Sequence, residues 1–263
     1  MLPSTPPTLT AHYGEEATQI ADLRMPQGKG PFPVIMVVHG GCWTKGFATK
    51  QNTAALASEL TKHGYATWNI EYRQVGNAGG GWPGTFLDWA NATDYLRTIA
   101  TTQPIDLKRV YVTGHSAGGH AALWIASRAK LPVDSEVGDF TNPLPIKAAI
   151  NIDGTGDLAP IGAFTEDYCG KPIITPLMGG TPIEQPVRYK LASPINQLPL
   201  HVPQVLIQAS FLTPEWAAEY RKRAQAAGDK VEVMPIDSGH FELIAPDTAP
   251  GKQVIHTILK TFR

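Results

Sequence analysis

The residues of this chain best suited to chemistry lie between Val110 and His120, which read VYVTGHSAGGH. Four residues of strand character, Val110 to Thr113, run into Gly114-His115-Ser116-Ala117-Gly118, and the following AALWIASRA is helix-forming. Ser116 therefore falls on a sharp strand-to-helix turn. Glycines stand two before and two after it because a side chain at either place would collide with the neighbouring strand or helix. A hydroxyl raised on such a turn is exposed for nucleophilic attack. The backbone N–H of Ala117 and the start of the helix dipole point to where an oxyanion would form. The bare Gly-x-Ser-x-Gly pattern also fits a simple serine-capped turn, and the strand before it and the helix after it favour the chemical reading.

A serine hydroxyl is a poor nucleophile at neutral pH, so a base must lie within hydrogen-bond reach and a third group must hold that base in the right tautomer. Of the eight histidines, His240 is the candidate base: it follows the last expected strand in SGHFEL, at the carboxyl end of the sheet, where Ser116 also lies. His39 reads as a prop for its own loop, and His115 and His120 flank Ser116 without the reach to serve it. A second signal lies upstream. The apolar run PVIMVV, a strand buried on both faces, ends in His39-Gly40-Gly41-Cys42-Trp43. The glycines let backbone N–H groups, those of Gly41 and Cys42, approach a substrate oxygen with no side chain in the way.

HGGCW, the strand WNIEYR, GHSAGG and the late GHFEL, in that order and spread over most of the chain, resemble the α/β-hydrolase family. The nearest likeness is to its small esterase and arylformamidase-like branch. The resemblance implies an α/β fold, a mostly parallel central sheet flanked by helices, in a single domain over 1–263 with a small cap insertion over 154–200. It also implies that the HGG loop supplies half of an oxyanion hole, completed by Ala117. Family members usually carry the acid a few residues after the penultimate strand. Here that segment reads QASFLTPE, and Leu212 stands near the expected position. Asp153, which closes the strand IKAAINI at the same edge of the sheet, is the preferred acid and keeps the order Ser116, Asp153, His240. Glu215 is the alternative, although the first turn of a helix behind Pro214 often carries an acidic residue only to complement the dipole. Asp157 is a third possibility. The activity so implied is hydrolysis of carboxylic esters of small to medium acyl groups through an acyl-enzyme. Arylformamidase action on an N-formyl amide is the alternative, suggested also by TPEW, and a non-catalytic small-molecule binder is another.

Length and composition agree with this organisation. The chain has 263 residues, 43% hydrophobic and 17% charged, enough for one α/β domain with a large core. A net charge of -1 and the lack of a Lys/Arg run exclude the footprint of a nucleic-acid binder. No apolar run approaches a membrane span, and MLPSTPPTLT lacks the basic and apolar regions of a signal segment, so a cytoplasmic location is expected. Cys42 and Cys169 give no disulfide framework and no metal spacing, and neither metal nor cofactor is called for. The glycine-dense NAGGGWPG lacks the strand and helix flanks of a phosphate loop. Trp43, Trp82 and Phe164 are expected to line the substrate pocket, and Ile161, Tyr168 and Met178 are pocket lining or cap core. Oligomeric state stays open, a dimer included.

Around these residues, AHYGEEATQIADLRMP predicts an antiparallel edge pair with a turn near Gly14. Helices are expected over 50–63, 88–100, 214–227 and 251–262, and strands over 33–38, 65–72, 146–152, 205–208 and 231–236. Strands alternating with helices imply right-handed crossovers and a parallel sheet.

Overall fold

The computed structural model describes residues 2–138 and 141–262. Its strands are β1 Leu9–His12, β2 Ile20–Arg24, β3 Phe32–Val38, β4 Ala66–Ile70, β5 Ile105–His115, β6 Ala149–Ile152, β7 Gln204–Gln208 and β8 Val231–Pro235. They form one eight-stranded sheet in the order β1-β2-β4-β3-β5-β6-β7-β8. β1 and β2 pair antiparallel with each other and β2 antiparallel with β4; the remaining neighbours are parallel. The helices are α1 Ala54–Lys62, α2 Gly84–Asp94, α3 Leu96–Ile99, α4 Ala117–Ser127, α5 Gly162–Cys169, α6 Ile174–Met178, α7 Pro186–Ala192, α8 Pro214–Ala226 and α9 Ala249–Thr261.

The continuous apolar runs are strands covered on both faces. Along β3, Val34, Met36 and Val38 enter one hydrophobic cluster while Ile35 and Val37 enter the other, as the two-residue side-chain period requires. α2, α4 and α8 cover the first face, with Trp89, Trp124 and Tyr220 buried among them; α1 and α9 cover the second with Leu60 and Ile258. Between β6 and β7, the segment that carries α5 to α7 packs Leu158, Ile161, Leu177 and Met178 into the first cluster. None of the helices among the described residues is long and apolar enough to cross a membrane.

Two expected boundaries shift for visible reasons. Asp88, expected to open a helix, lies inside α2 and is fully buried, and its carboxylate pairs with Arg73 at 2.7 Å. It is spent on that ion pair, and the helix begins at Gly84 instead. β5 starts at Ile105, five residues before its apolar part, because an irregularity between Pro33 and Val34 lets β3 pair with both segments.

Candidate active site

The carboxyl ends of β3, β5, β6 and β8 lead into the HGGCW loop, Ser116, Asp153 and the loop bearing His240, so the parallel sheet gathers all four on one edge. Ser116 has φ 57° and ψ −119°, a left-handed backbone that a serine rarely adopts. The turn holds because its amide donates to the Ile152 carbonyl at 2.8 Å and its carbonyl accepts from Gly119 at 2.8 Å. A Cβ at Gly118 would lie 2.1 Å from the Val38 carbonyl oxygen, and one at Gly114 would lie 2.1 Å from the Gly118 oxygen. These are the strand and helix clashes expected from the sequence.

Asp153 is buried, has φ 50°, and brings its carboxylate under the loop after β7. Oδ1 accepts from the amides of Ala209 and Leu212, each at 2.8 Å, and Oδ2 accepts from the Phe211 amide at 3.0 Å. Oδ2 also accepts from His240 Nδ1 at 2.7 Å. Burial pushes the Asp153 carboxyl up, but the bonds from His240, Leu212 and Phe211 outweigh it and hold it below the usual carboxylate range. The Leu212 segment thus contributes peptide donors where a carboxylate was expected, and the Asp153 carboxylate reaches in from the end of β6. Glu215 is exposed in the first turn of α8, and its carboxyl is lowered by its own amide and the Thr213 hydroxyl. Asp157 closes a local turn with the Ala159 amide at 3.1 Å. Of the three carboxylates considered, Asp153 is the one in contact with His240.

The HGGCW loop is braced from below. His39 Nε2 meets Glu71 Oε1 at 2.7 Å, its Nδ1 meets the Gly40 carbonyl at 2.7 Å, and Tyr72 stacks on its ring at 4.4 Å. Glu71 also accepts from the Lys50 amide at 2.9 Å. Burial raises the Glu71 carboxyl, but His39 and that amide bring it below its ordinary value. Gly41, Cys42 and Trp43 have φ of 102°, 51° and 50°. Among the described residues, the amides of Gly41, Cys42 and Ala117 donate to no protein acceptor, and Gly41 and Cys42 border the same pocket as Ser116.

The cysteine reading needs correcting. Cys42 and Cys169 form a disulfide, with Cα atoms 6.5 Å apart across a sequence separation of 127. Pairing follows proximity in the fold, which sequence spacing could not reveal. The bond fastens the HGGCW loop to the end of α5. Its reduction is expected to lower unfolding free energy by about 2–4 kcal/mol. Urea denaturation with and without a phosphine reductant, with thiols counted by mass, measures this. An unchanged midpoint in the reduced protein would show that the bond stabilises nothing.

Gly41, Cys42, Ser116 and His240 share a pocket of about 230 Å³. Trp43, Trp82 and Phe164 do not line it, contrary to expectation. The Trp43 indole is buried and donates to His120 Nδ1 at 3.3 Å. Trp82 packs on Phe86, its amide bonded to the Leu177 carbonyl at 2.7 Å. Phe164 stacks behind Tyr168 and against Trp216. Tyr168 does border the pocket, while Ile161 and Met178 are core. Residues that sequence reasoning missed include Phe47, His115, Phe241 and Ile244. The one available signal was Phe241, a large apolar side chain directly after His240 in a polar loop.

His115 and His120 are buried and neutral. Burial and repulsion from His240 lower His115 to about 3, and burial lowers His120 to about 4. His115 Nε2–H donates to the His240 carbonyl at 2.9 Å, and the two rings lie 4.1 Å apart. His120 Nε2–H donates to the Ala192 carbonyl at 2.7 Å. Both native values lie below the ordinary histidine value near 6.5, so the unfolded chain binds more protons between about pH 6.5 and pH 4. Stability is then present above that window and lost as pH falls through it. The expected slope is about 2.7 kcal/mol per pH unit for the two together. Urea titrations between pH 6 and pH 4.5 measure it; His120→Gln should roughly halve it, and a flat dependence would refute the neutral assignment.

A serine on a glycine-flanked strand-to-helix turn, a histidine paired with a buried aspartate, and a parallel sheet gathering them at its carboxyl edge make this an α/β hydrolase of the esterase type. Residues 21–210 match the BD-FAE family, and the chain belongs to it. It is 26% identical to Esterase LipC of Mycobacterium tuberculosis over 201 residues, 74% of this chain. The chain spans about half the length of that relative, 48%. It is 24% identical to the kynurenine formamidase of Danio rerio over 239 residues, 88% of this chain and 74% of that one. Among solved structures, a truncated carbohydrate esterase from gut microbiota superposes with a TM-score of 0.78 at 20% identity, covering 98% of this chain and 99% of the other.

Proposed function

We propose that the protein is a serine hydrolase that cleaves carboxylic esters of small to medium acyl groups through a Ser116-His240-Asp153 triad and an acyl-enzyme. The observation that carries this reading is the Asp153–His240 bond of 2.7 Å at the wall of the pocket that Ser116 also borders. With Nδ1–H committed to Asp153, Nε2 is the ring nitrogen left to accept a proton. Ser116 Oγ attacks the substrate carbonyl as His240 Nε2 takes its proton. The amides of Gly41, Cys42 and Ala117 hold the oxyanion, and His240 then protonates the leaving oxygen. Water deacylates Ser116 by the same route, and the segment between β6 and β7 acts as a small cap beside the pocket. Hydrolysis of an N-formyl amide by the same groups is a second reading, favoured by the likeness to the kynurenine formamidase.

The test is covalent labelling by a fluorophosphonate followed by peptide mapping. A single adduct on Ser116 is expected; a folded protein that takes up no label would sink the reading and favour a non-catalytic binder. A cytoplasmic location, expected from the sequence, sits poorly with the Cys42–Cys169 disulfide, which favours an oxidising compartment.

A further inference from the structure

Among the described residues, three of the seven exposed large apolar side chains gather at one place, while the other four, Leu2, Val133, Ile183 and Val187, lie outside it. Phe241 is 71% exposed, Phe47 is 44% exposed and Tyr168 is 40% exposed, and all three ring the pocket that holds Ser116. Exposed apolar surface gathered around a concave site marks a place where something apolar binds. Tyr168 and Phe241 both pack edge-on against the His240 ring, with centroids 5.5 Å and 5.3 Å from it. Tyr168 is held there by its neighbour Cys169, whose disulfide to Cys42 forms part of the pocket lining. Phe47 rises from the loop after HGGCW, with Lys171 Nζ 4.9 Å over its face. Among the described residues, no carboxylate, lysine or arginine lines the pocket.

We infer that Phe47, Tyr168 and Phe241 form a leaving-group subsite for an uncharged aryl alcohol. This rests on the serine-hydrolase reading, because the proton that His240 gives up goes to the leaving oxygen. The part of the substrate on the alcohol side must therefore lie beside His240, within reach of Tyr168 and Phe241. There the bond from acyl carbon to aryl oxygen breaks, the carbonyl stays on Ser116, and the aryl oxygen departs as a phenol carrying that proton. A flat ring gains offset or edge contacts with all three aromatics. A polyhydroxylated sugar ring is disfavoured, because Asn52 and the Tyr168 hydroxyl are the polar side-chain groups present for its hydroxyls besides those of the site itself.

The experiment compares kcat/KM for phenyl acetate and ethyl acetate in the native protein, Phe47→Ala and Phe241→Ala, with an acetylated pyranoside as a third substrate. Each substitution should lower the phenyl-to-ethyl ratio about two- to tenfold, mainly through KM. Phe47 does not touch His240, so its variant separates subsite loss from disturbance of the base. An unchanged ratio in both variants, or an acetylated pyranoside preferred over phenyl acetate, overturns the subsite alone. Turnover of no ester at all by the folded native protein, with no phosphonate label, defeats the hydrolase reading and the subsite with it.

Discussion

Ser116→Ala is expected to cut ester turnover by about 10⁴- to 10⁶-fold and to abolish phosphonate labelling while leaving the fold intact. In the proposed mechanism the loss is large because base and acid act only through the hydroxyl: without Oγ, the His240–Asp153 pair has nothing to deprotonate. The fold should tolerate the change. Ser116 holds its turn through backbone bonds to Ile152 and Gly119, and among the described residues its hydroxyl anchors no other group. Alanine at φ 57° bears the same backbone strain as serine, so the unfolding midpoint should stay close to that of the native chain. Kinetics with p-nitrophenyl acetate alongside thermal unfolding decide the matter. A folded Ser116→Ala protein with undiminished turnover would remove Ser116 from the mechanism and leave the family membership standing.

Local patterns made much of the architecture legible. PVIMVV is apolar over its whole length because β3 is buried on both faces, and a run of that kind bounded by turn residues has few other ways to fold; YATWNIEY became β4, equally buried although Thr67 and Asn69 interrupt its apolar residues. The alternating stretch around Gly14 became the β1–β2 pair, in which the edge strand β1 alternates between half-buried and exposed residues while β2 is covered almost throughout. Ser116 was legible because the constraint on it is local: two glycines four residues apart, each pressed against a neighbouring backbone carbonyl.

What the sequence withheld depends on contacts between distant segments. Cys42 and Cys169 pair because α5 comes down beside the HGGCW loop, and nothing in their spacing encodes that. Trp43 in the HGGCW loop and Trp82 in the NAGGGWPG loop are placed by sequence near the site, yet a tryptophan in such a loop can as well turn inward; Trp43 does so to meet His120, one helix turn beyond Ser116. His115 is the converse case. Too close to Ser116 in sequence to act as its base, it reaches across the sheet edge to the His240 carbonyl and fixes the height of that loop.

Asp153→Asn is the second large effect, about 10⁴-fold in kcat, and it distinguishes the acid on grounds of geometry. Four donors converge on this carboxylate: the amides of Ala209, Phe211 and Leu212, and His240 Nδ1–H. Asparagine offers one oxygen and one NH₂ in the same space. With the oxygen kept toward Ala209 and Leu212, the NH₂ faces the Phe211 amide and His240 Nδ1. Nδ1 can then only accept, the ring proton moves to Nε2, and the nitrogen that must receive the serine proton is occupied. With the amide reversed, Ala209 and Leu212 face a donor and the loop after β7 must shift, which also costs stability because buried charge-assisted bonds are lost. Thermal unfolding of the variant separates the two outcomes. Glu215→Gln, at an exposed helix start, should leave kcat within about twofold and lower stability only slightly. If Glu215→Gln instead showed the greater kinetic loss, the acid would have to reach His240 from α8, and the Asp153 carboxylate would be a brace for the β7 loop.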